Sequence, residues 1–313
     1  MHRMKKDSKL YVAGHRGLVG SAIVRALEKH GYRNIIFRAH AELDLTDQQA
    51  VRRFFADERP EYVFLAAARV GGILANRDLP ADFIRENLQI QTNVIESAHT
   101  HEVQKLLFLG SSCIYPRMAP QPMKEEYFMT GPLESTNRAY AIAKIAGIEM
   151  CQSYNRQFGS RFVSVMPTNL YGPHDNFHPE HSHVLPALIR RFHDAKVAGA
   201  GEVQVWGTGE PLREFLHVDD LGEACVFLME RYEDAEIINI GTSEEISIKG
   251  LAALVKSTVG FSGAISWDPS RPDGTPRKLL DTSKINALGW RHNIGLAEGL
   301  SRTYDWFKNS YEA

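Results

Sequence analysis

The sequence is poor in cysteine, carries no excess of either charge and has no long apolar run. Its 313 residues include three cysteines, Cys113, Cys151 and Cys225. They are too few and too scattered for a disulfide framework or a cysteine-based zinc site, and neither C-x-x-C nor H-E-x-x-H occurs. Lysine plus arginine is 36 and aspartate plus glutamate is 38, a formal net charge of −2. That balance gives no overall electrostatic reason to bind nucleic acid or an anionic membrane. No apolar run approaches the ~20 residues that a membrane helix needs. The first residues, MHRMKKDSKLYVAG, are basic but hold no apolar segment before the first glycine, so a cytoplasmic protein without a signal peptide is expected. What is present is globular material: 43% apolar and 24% charged residues, enough for a sizeable core. At ~100–200 residues per domain the length suits two domains or one large one.

Along the first half, strand and helix alternate. Residues 10–13 read as a strand, 19–29 as a helix and 34–38 as a strand. Residues 47–58 follow as a helix with Thr46 as N-cap, and 62–67 as a strand. Then come a helix over 88–101, a strand over 105–110, a helix over 139–158 and a strand over 162–166. Strands as apolar as YVFLAA and KLLFLG are those of a sheet buried on both faces. The pattern predicts an α/β fold with a doubly wound parallel sheet, a Rossmann domain. From Pro167 the segment PTNLYGPHDNFHPEHSH reads as loop. Helices over 185–196, 248–260 and 296–308, strands over 203–206 and 237–240, and a strand running into a helix over 215–230 complete the chain. The expected division is a dinucleotide-binding domain over 1–168, with segments near 214–245 returning to it. A smaller α/β substrate domain would take 169–213 and 246–313.

Gly14-His15-Arg16-Gly17-Leu18-Val19-Gly20 joins the first strand to the first helix. Glycines let the backbone turn sharply and approach a pyrophosphate, which rests on the free N–H groups of the helix start. The spacing is G-x-x-G-x-x-G rather than G-x-G-x-x-G. At the end of the second strand an acid would favour NAD and a cation NADP. Arg38, with Arg16, leans toward NADP, although Arg38 can equally be a solvated surface residue. Asp44 and Leu45 can border an adenine, or Asp44 can brace a turn.

Tyr140 and Lys144 lie four apart on a predicted helix and so share a face. A nearby ammonium would pull the phenol below its ordinary pKa of ~10 and ready it to donate a proton to a carbonyl oxygen. Ser111, in Gly110-Ser111-Ser112-Cys113 after a buried strand, stands at the carboxyl edge where such sheets bind ligands. It can bond the same carbonyl, or it can be part of a capping cluster. Cys113 alone reads as a small core residue. His174, His178, His181 and His183 share one loop. A metal site there is disfavoured, because no H-x-x-x-H helix or acidic ligand set accompanies them.

The glycine loop, the strand-end serine and the Tyr140/Lys144 pair resemble the extended short-chain dehydrogenase/reductases. Within them, GHRGLVGSAI, AAARVGGI, LFLGSSCIYP, YAIAKIAGIEMC, VMPTNLYGPHDNFHPEHSHVLPALIRRFH, REFLHVDD and PDGTPRKLLD resemble the GDP-L-fucose synthase family across nearly the whole chain. The resemblance implies NADPH-dependent 3,5-epimerisation and 4-reduction of a GDP-linked 4-keto-6-deoxy sugar. It makes Ser111, Tyr140 and Lys144 the reductase triad and gives Cys113 and His183 to the epimerisation. A thiol of pKa ~8.5 and an imidazole of pKa ~6.5 suit removing and returning protons beside a ketone. It assigns NADP(H) to the glycine loop (Gly14, Arg16, Gly17, Leu18, Val19, Gly20), to Arg38, His40, Asp44 and Leu45, and to Ala67, Leu109, Lys144, Pro167, Asn169, Leu170 and His183. His40 stands where the family has a second phosphate-binding arginine. The substrate would meet Ser111, Ser112, Asn169, Arg191, Trp206, Arg213, Asp273 and Lys278. No metal is implied, and a homodimer through the helices over 88–101 and 139–158 is. The alternatives are another extended reductase or a nucleotide-sugar 4-epimerase with bound NAD, or a cofactor-sensing protein with a dead site.

Overall fold

The computed structural model describes residues 4–178, 181–271 and 273–311. Pro179 and Glu180 of the histidine-bearing loop, Pro272 and both chain ends lie outside them. The first half runs β1 (Leu10–Ala13), α1 (Leu18–Lys29), β2 (Ile35–Ile36), α2 (Gln48–Glu58), β3 (Tyr62–Leu65), α3 (Ile73–Asp78), α4 (Pro80–Thr100), β4 (Lys105–Leu109), α5 (Arg138–Phe158) and β5 (Phe162–Pro167). The second half continues with β6 (Asn169–Tyr171), α6 (Val184–Val197), β7 (Glu202–Trp206), β8 (Leu212–Arg213), β9 (Phe215–His217), α7 (Val218–Arg231) and β10 (Ile238–Ile240). It ends with β11 (Ile246–Ser247), α8 (Ile248–Val259), β12 (Ala264–Asp268), β13 (Arg277–Lys278), α9 (Ser283–Ala287) and α10 (Leu296–Tyr311).

A six-stranded parallel sheet in the order β10-β5-β4-β3-β1-β2 forms the centre, the expected doubly wound arrangement. The order in which strands are added reverses between β1 and β3, and ligands bind such sheets at that switch point, outside the carboxyl ends of the strands. Every residue of β1, β3, β4 and β5 is buried, which is why these segments read as unbroken apolar runs. Alternate residues feed two cores. Leu107 and Leu109 of β4 face the layer containing α1 and α7, while Leu106 and Phe108 face α2, α4 and α5. On α1, Ile23 and Leu27 are fully buried at helical spacing, and truncating either to alanine costs roughly 2–5 kcal/mol. A third core lies between α6, α8 and α10 and carries β7, β12 and the short strands.

Lys105, the first residue of β4, is a fully buried lysine on the α7 side. Its ammonium donates to the carbonyls of Leu228, Met229 and Tyr232 and pairs with Glu233 at 3.4 Å. Those carbonyls belong to the end of α7, where a helix leaves acceptors unfilled and favours a cation.

Several expectations change. Asp47, not Thr46, caps α2, its carboxylate accepting from the N–H groups of Gln49 (2.9 Å) and Ala50 (3.0 Å). Thr46 is itself held by Asp44. The second strand shrinks to two residues, and β3 stops at Leu65. Helix α4 starts at Pro80, eight residues before the expected 88, because proline suits the first turn. The expected loop after Pro167 contains β6, which pairs in parallel with β9. Helices α3 and α9 and strands β8, β11, β12 and β13 had no expectation. Those of two residues have no period to detect.

Candidate active site

A cavity of about 740 Å³ opens at the switch point. Its floor is the glycine loop. Gly14 sits at φ +85°, and a Cβ there would stand 2.8 Å from the Ala67 nitrogen. A Cβ on Gly20 would stand 2.1 Å from the Gly14 carbonyl oxygen. Only glycines allow this approach, and it brings the start of α1 to the cavity with no side chain capping its N–H groups. Open N–H groups at a helix start form an anion site, so the cradle fits a dinucleotide pyrophosphate. At the cofactor's expected ribose end, Arg38, His40, Asp44 and Leu45 line the wall. Arg38 pairs with Glu58 and donates to the Phe37 carbonyl at 3.0 Å. Asp44 braces the turn, accepting from the Thr46 nitrogen (2.9 Å) and hydroxyl (2.8 Å), while also lining the cavity. Arg16 is exposed and does not line it.

Beyond the end of β4, Ser111 starts a single 3-10 turn, Ser112–Ile114, by accepting from the Cys113 nitrogen at 3.3 Å. The turn places Ser111, Ser112 and Cys113 on one wall. Tyr140 and Lys144 come from α5 on the other side, with the Lys144 ammonium 5.8 Å from the Tyr140 ring centre. The Ser111 hydroxyl lies against the Tyr140 phenol and favours its ionised form. Burial nevertheless outweighs that and pushes the phenol pKa up. The expected lowering by Lys144 does not occur, because its ammonium turns to the Leu109 carbonyl at 2.7 Å. Burial also lowers Lys144 itself to about 8. Tyr140 therefore stays protonated, the form from which a proton can be given.

Cys113, His183 and Lys278 converge on the same space. Burial raises the Cys113 thiol, opposed by the ammonium of Lys278, the Ser111 hydroxyl and the ammonium of Lys144. His183, at the N-cap of α6, is open to the cavity solvent but ringed by protein. That surrounding, together with Lys278, holds its imidazole below the ordinary value and keeps it neutral. The other histidines of the loop disperse. His178 stacks on His181 at 4.7 Å and His174 packs on Trp306 at 5.0 Å. Among the described residues no three histidine, cysteine or carboxylate side chains gather to hold a metal ion.

A second cluster collects Trp206, Arg191, Arg213 and Asp273, none of which lines that cavity. The Arg191 guanidinium lies 4.5 Å from the Trp206 ring centre. Asp273 accepts from the Thr208 nitrogen (2.7 Å) and hydroxyl (2.8 Å), and its carbonyl accepts from Arg213 at 3.4 Å. Arg213 also acts on Lys278 through its charge, so the second cluster abuts the first through β8 and β13. Guanidinium groups beside an indole suit a nucleoside diphosphate.

Of the expected residues, the remaining glycine-loop positions and Ala67, Leu109, Pro167, Asn169 and Leu170 all line the cavity. Sequence reasoning missed three others. Arg271 covers Trp206, 5.0 Å from the ring centre. Asp175 lines the cavity with one carboxylate oxygen unpartnered, and burial lifts its pKa to about 7. Glu214 is buried beside Lys278. A charged residue inside the apolar strand segment of REFLHVDD was the available signal for Glu214.

Comparison with known proteins agrees with this geometry. Residues 10–241 match the NAD dependent epimerase/dehydratase family. GDP-L-fucose synthase 1 of Arabidopsis thaliana is 64% identical over 302 residues, covering 96% of this chain and 94% of that protein. GDP-L-fucose synthase of Escherichia coli (strain K12) is 54% identical over 308 residues, covering 96% of each. The crystal structure of a GDP-L-fucose synthetase from Naegleria fowleri bound to NADP superposes with a TM-score of 0.92 at 30% identity, covering 99% of this chain and 97% of that one. The chain belongs to the NAD dependent epimerase/dehydratase family and, within it, to the GDP-L-fucose synthases.

Proposed function

We propose that this protein converts GDP-4-keto-6-deoxy-D-mannose to GDP-L-fucose by NADPH-dependent 3,5-epimerisation and 4-reduction. The observation that carries the reading is the shared cavity, where Ser111, Tyr140 and Lys144 stand with Cys113 and His183. A 4-epimerase has no need of that second acid–base pair.

In this mechanism Cys113 and His183 remove and return the protons at C3 and C5, next to the ketone. Lys278 steadies the thiolate as it forms. Tyr140 and Ser111 hold the oxygen of the enolate by hydrogen bonds, so one oxyanion site serves both inversions and the reduction. When bound, NADPH supplies the hydride to C4. Tyr140 then gives its proton to O4, and the adjacent Lys144 ammonium steadies the resulting negative oxygen. The glycine cradle and α1 would hold the dinucleotide pyrophosphate. Arg38 and His40 would face the 2′-phosphate, and Lys144 the nicotinamide ribose. Arg191, Trp206, Arg213 and Asp273 would hold the GDP portion.

Residues 1–168 with segments near 214–245 serve as the cofactor domain in this reading, and 169–213 with 246–313 as the substrate domain. Support comes from β10, which joins the large sheet, and from α7, which packs on α1. We also infer a homodimer formed through α4 and α5, supported by exposed Ile142 and Phe158 on α5. A cytoplasmic location is supported by three cysteines that are all free. No helix of the described residues is long and apolar enough to cross a membrane.

Incubation with NADPH and GDP-4-keto-6-deoxy-D-mannose should consume the cofactor and yield GDP-L-fucose, identified by NMR. Absence of turnover rejects the assignment, and NAD retained through purification would favour a 4-epimerase instead.

A further inference from the structure

Glu214 lies between β8 and β9 and is fully buried. Burial raises its pKa, and a carboxylate removed from water must find donors, which oppose that rise. Its Oε1 accepts from the backbone N–H groups of Thr242 (2.6 Å) and Ser243 (2.7 Å), and its Oε2 accepts from the Leu280 N–H (3.1 Å). The chain makes room for it at Gly241, where a Cβ would stand 2.3 Å from Oε1. The backbone carbonyl of Glu214 is also engaged. It accepts from the side-chain amide of Asn169 at 2.7 Å and from the Thr168 hydroxyl at 3.4 Å. One residue therefore ties three separate segments to β8–β9: the wall at 168–169, the turn at 242–243 and the strand end at 280. That last grip lies two residues beyond Lys278.

Lys278 is thus held from both sides. Its strand β13 pairs with β8, immediately before Glu214, and the chain after it is fastened to Glu214 itself. The charged and titratable groups facing its ammonium are Cys113, Arg213, Glu214 and His183. Burial, the largest influence, holds the Lys278 ammonium below the ordinary lysine value; Cys113 and Glu214 oppose that lowering, and Arg213 adds to it. Where it carries its charge, that ammonium favours the Cys113 thiolate, the form able to take a proton, so each group that opposes the lowering supports the thiolate.

We propose that Glu214 is a positioning residue for the epimerisation half of the reaction, its carboxylate holding the strand that carries Lys278 beside Cys113 while its carbonyl fixes the amide of Asn169 at the cavity wall. The role rests on the proposed function, but it acts through Lys278 and Asn169 and touches no substrate. An anchor that merely stabilised the fold would affect inversion and reduction alike. A positioning residue aimed at Lys278 affects inversion first.

The test compares solvent deuterium entry at C3 and C5 with NADPH-dependent reduction of a ketone already inverted at both carbons. In Glu214→Gln an amide replaces the carboxylate: one oxygen still accepts, but the NH₂ group meets backbone N–H at the other position. Deuterium entry should fall about 10-fold or more, while reduction of the inverted ketone stays within about 3-fold and NADPH affinity within about 2-fold. Losing the anion beside Lys278 should also move the alkaline limb of the exchange rate to lower pH. Glu214→Asp keeps the charge but shortens the reach, so exchange should slow with the limb unmoved. If Glu214→Gln fails to fold, the aspartate variant carries the test. Equal losses in both half-reactions, unchanged exchange in a folded Glu214→Gln, or a shifted limb in Glu214→Asp would overturn the role. No deuterium entry in the unaltered protein would instead overturn the functional reading beneath it.

Discussion

The two ends of β4 hold the same group in different circumstances. At the amino end stands Lys105; at the carboxyl end the Leu109 carbonyl receives Lys144. Both ammonium groups are buried, and burial lowers both to about 8. A lysine ammonium has three N–H donors. Lys105 directs its donors to three carbonyls at the end of α7 and has an ion pair besides. Lys144 directs one to Leu109 and lies at the cavity, 4.9 Å from the Phe108 ring centre and 5.8 Å from that of Tyr140. A displaced pKa is therefore no mark of catalysis by itself. The distinction lies in hydrogen-bonding capacity left open toward a space that a ligand can enter.

Substitutions at the two ends should separate rate from stability. Tyr140→Phe and Lys144→Met, at the carboxyl end, should each cut 4-reduction by roughly 10²–10⁴-fold, read from NADPH oxidation, with little change in unfolding midpoint. Retained reduction in either would remove the chemical half of the contrast. Cys113→Ser should slow deuterium exchange at C3 and C5 by roughly 10²-fold while reduction of an already inverted ketone persists. Lys105→Met, at the amino end, should lower stability by about 3 kcal/mol in urea unfolding, because three buried carbonyls lose their donor. Its rate per folded molecule should change far less than its stability.

Alkaline pH should divide the two ends further. The Lys105 value of about 8 lies below the ~10.4 of an unfolded lysine, so between these values the unfolded chain binds more protons. Its contribution to stability therefore rises with pH across that window, and Lys105→Met should flatten the rise. Lys144 loses its charge over the same range, so kcat/KM for reduction should fall above about pH 8. A reduction rate still climbing at pH 9 would contradict this. Trp206→Ala should have the smallest effect, raising KM for the nucleotide sugar about 10-fold with kcat nearly intact, as loss of one stacking platform predicts.

How much of this was legible in the sequence depended on how local the cause was. The strands of the large sheet declared themselves because both faces are buried, which leaves unbroken apolar runs such as KLLFL. Tyr140 and Lys144 were legible because helical spacing alone puts them on one face. The direction of the Tyr140 shift was not, since it depends on burial and on Leu109, whose carbonyl draws off the Lys144 ammonium from 35 positions before Lys144. Asp47 and Thr46 are adjacent residues that can both cap, so only geometry chose between them. Lys278 reaches Cys113 through β13, a strand of two residues whose partner β8 is equally short. No periodicity announces such a strand, and the family resemblance supplied Lys278 only as a substrate contact. Glu214 lay hidden for the same reason, its donors coming from 28 to 66 positions along the chain.

The knot at Lys105 has a mechanical consequence for the distant end of its strand. Lys105, Leu107 and Leu109 share one face of β4, so sliding the strand by a single place would swing the ammonium into the opposite layer, away from every carbonyl it serves. That penalty indexes β4 against its neighbours like a detent. The height at which the Leu109 oxygen presents itself is thereby set from the far side of the molecule, by a side chain no substrate ever meets.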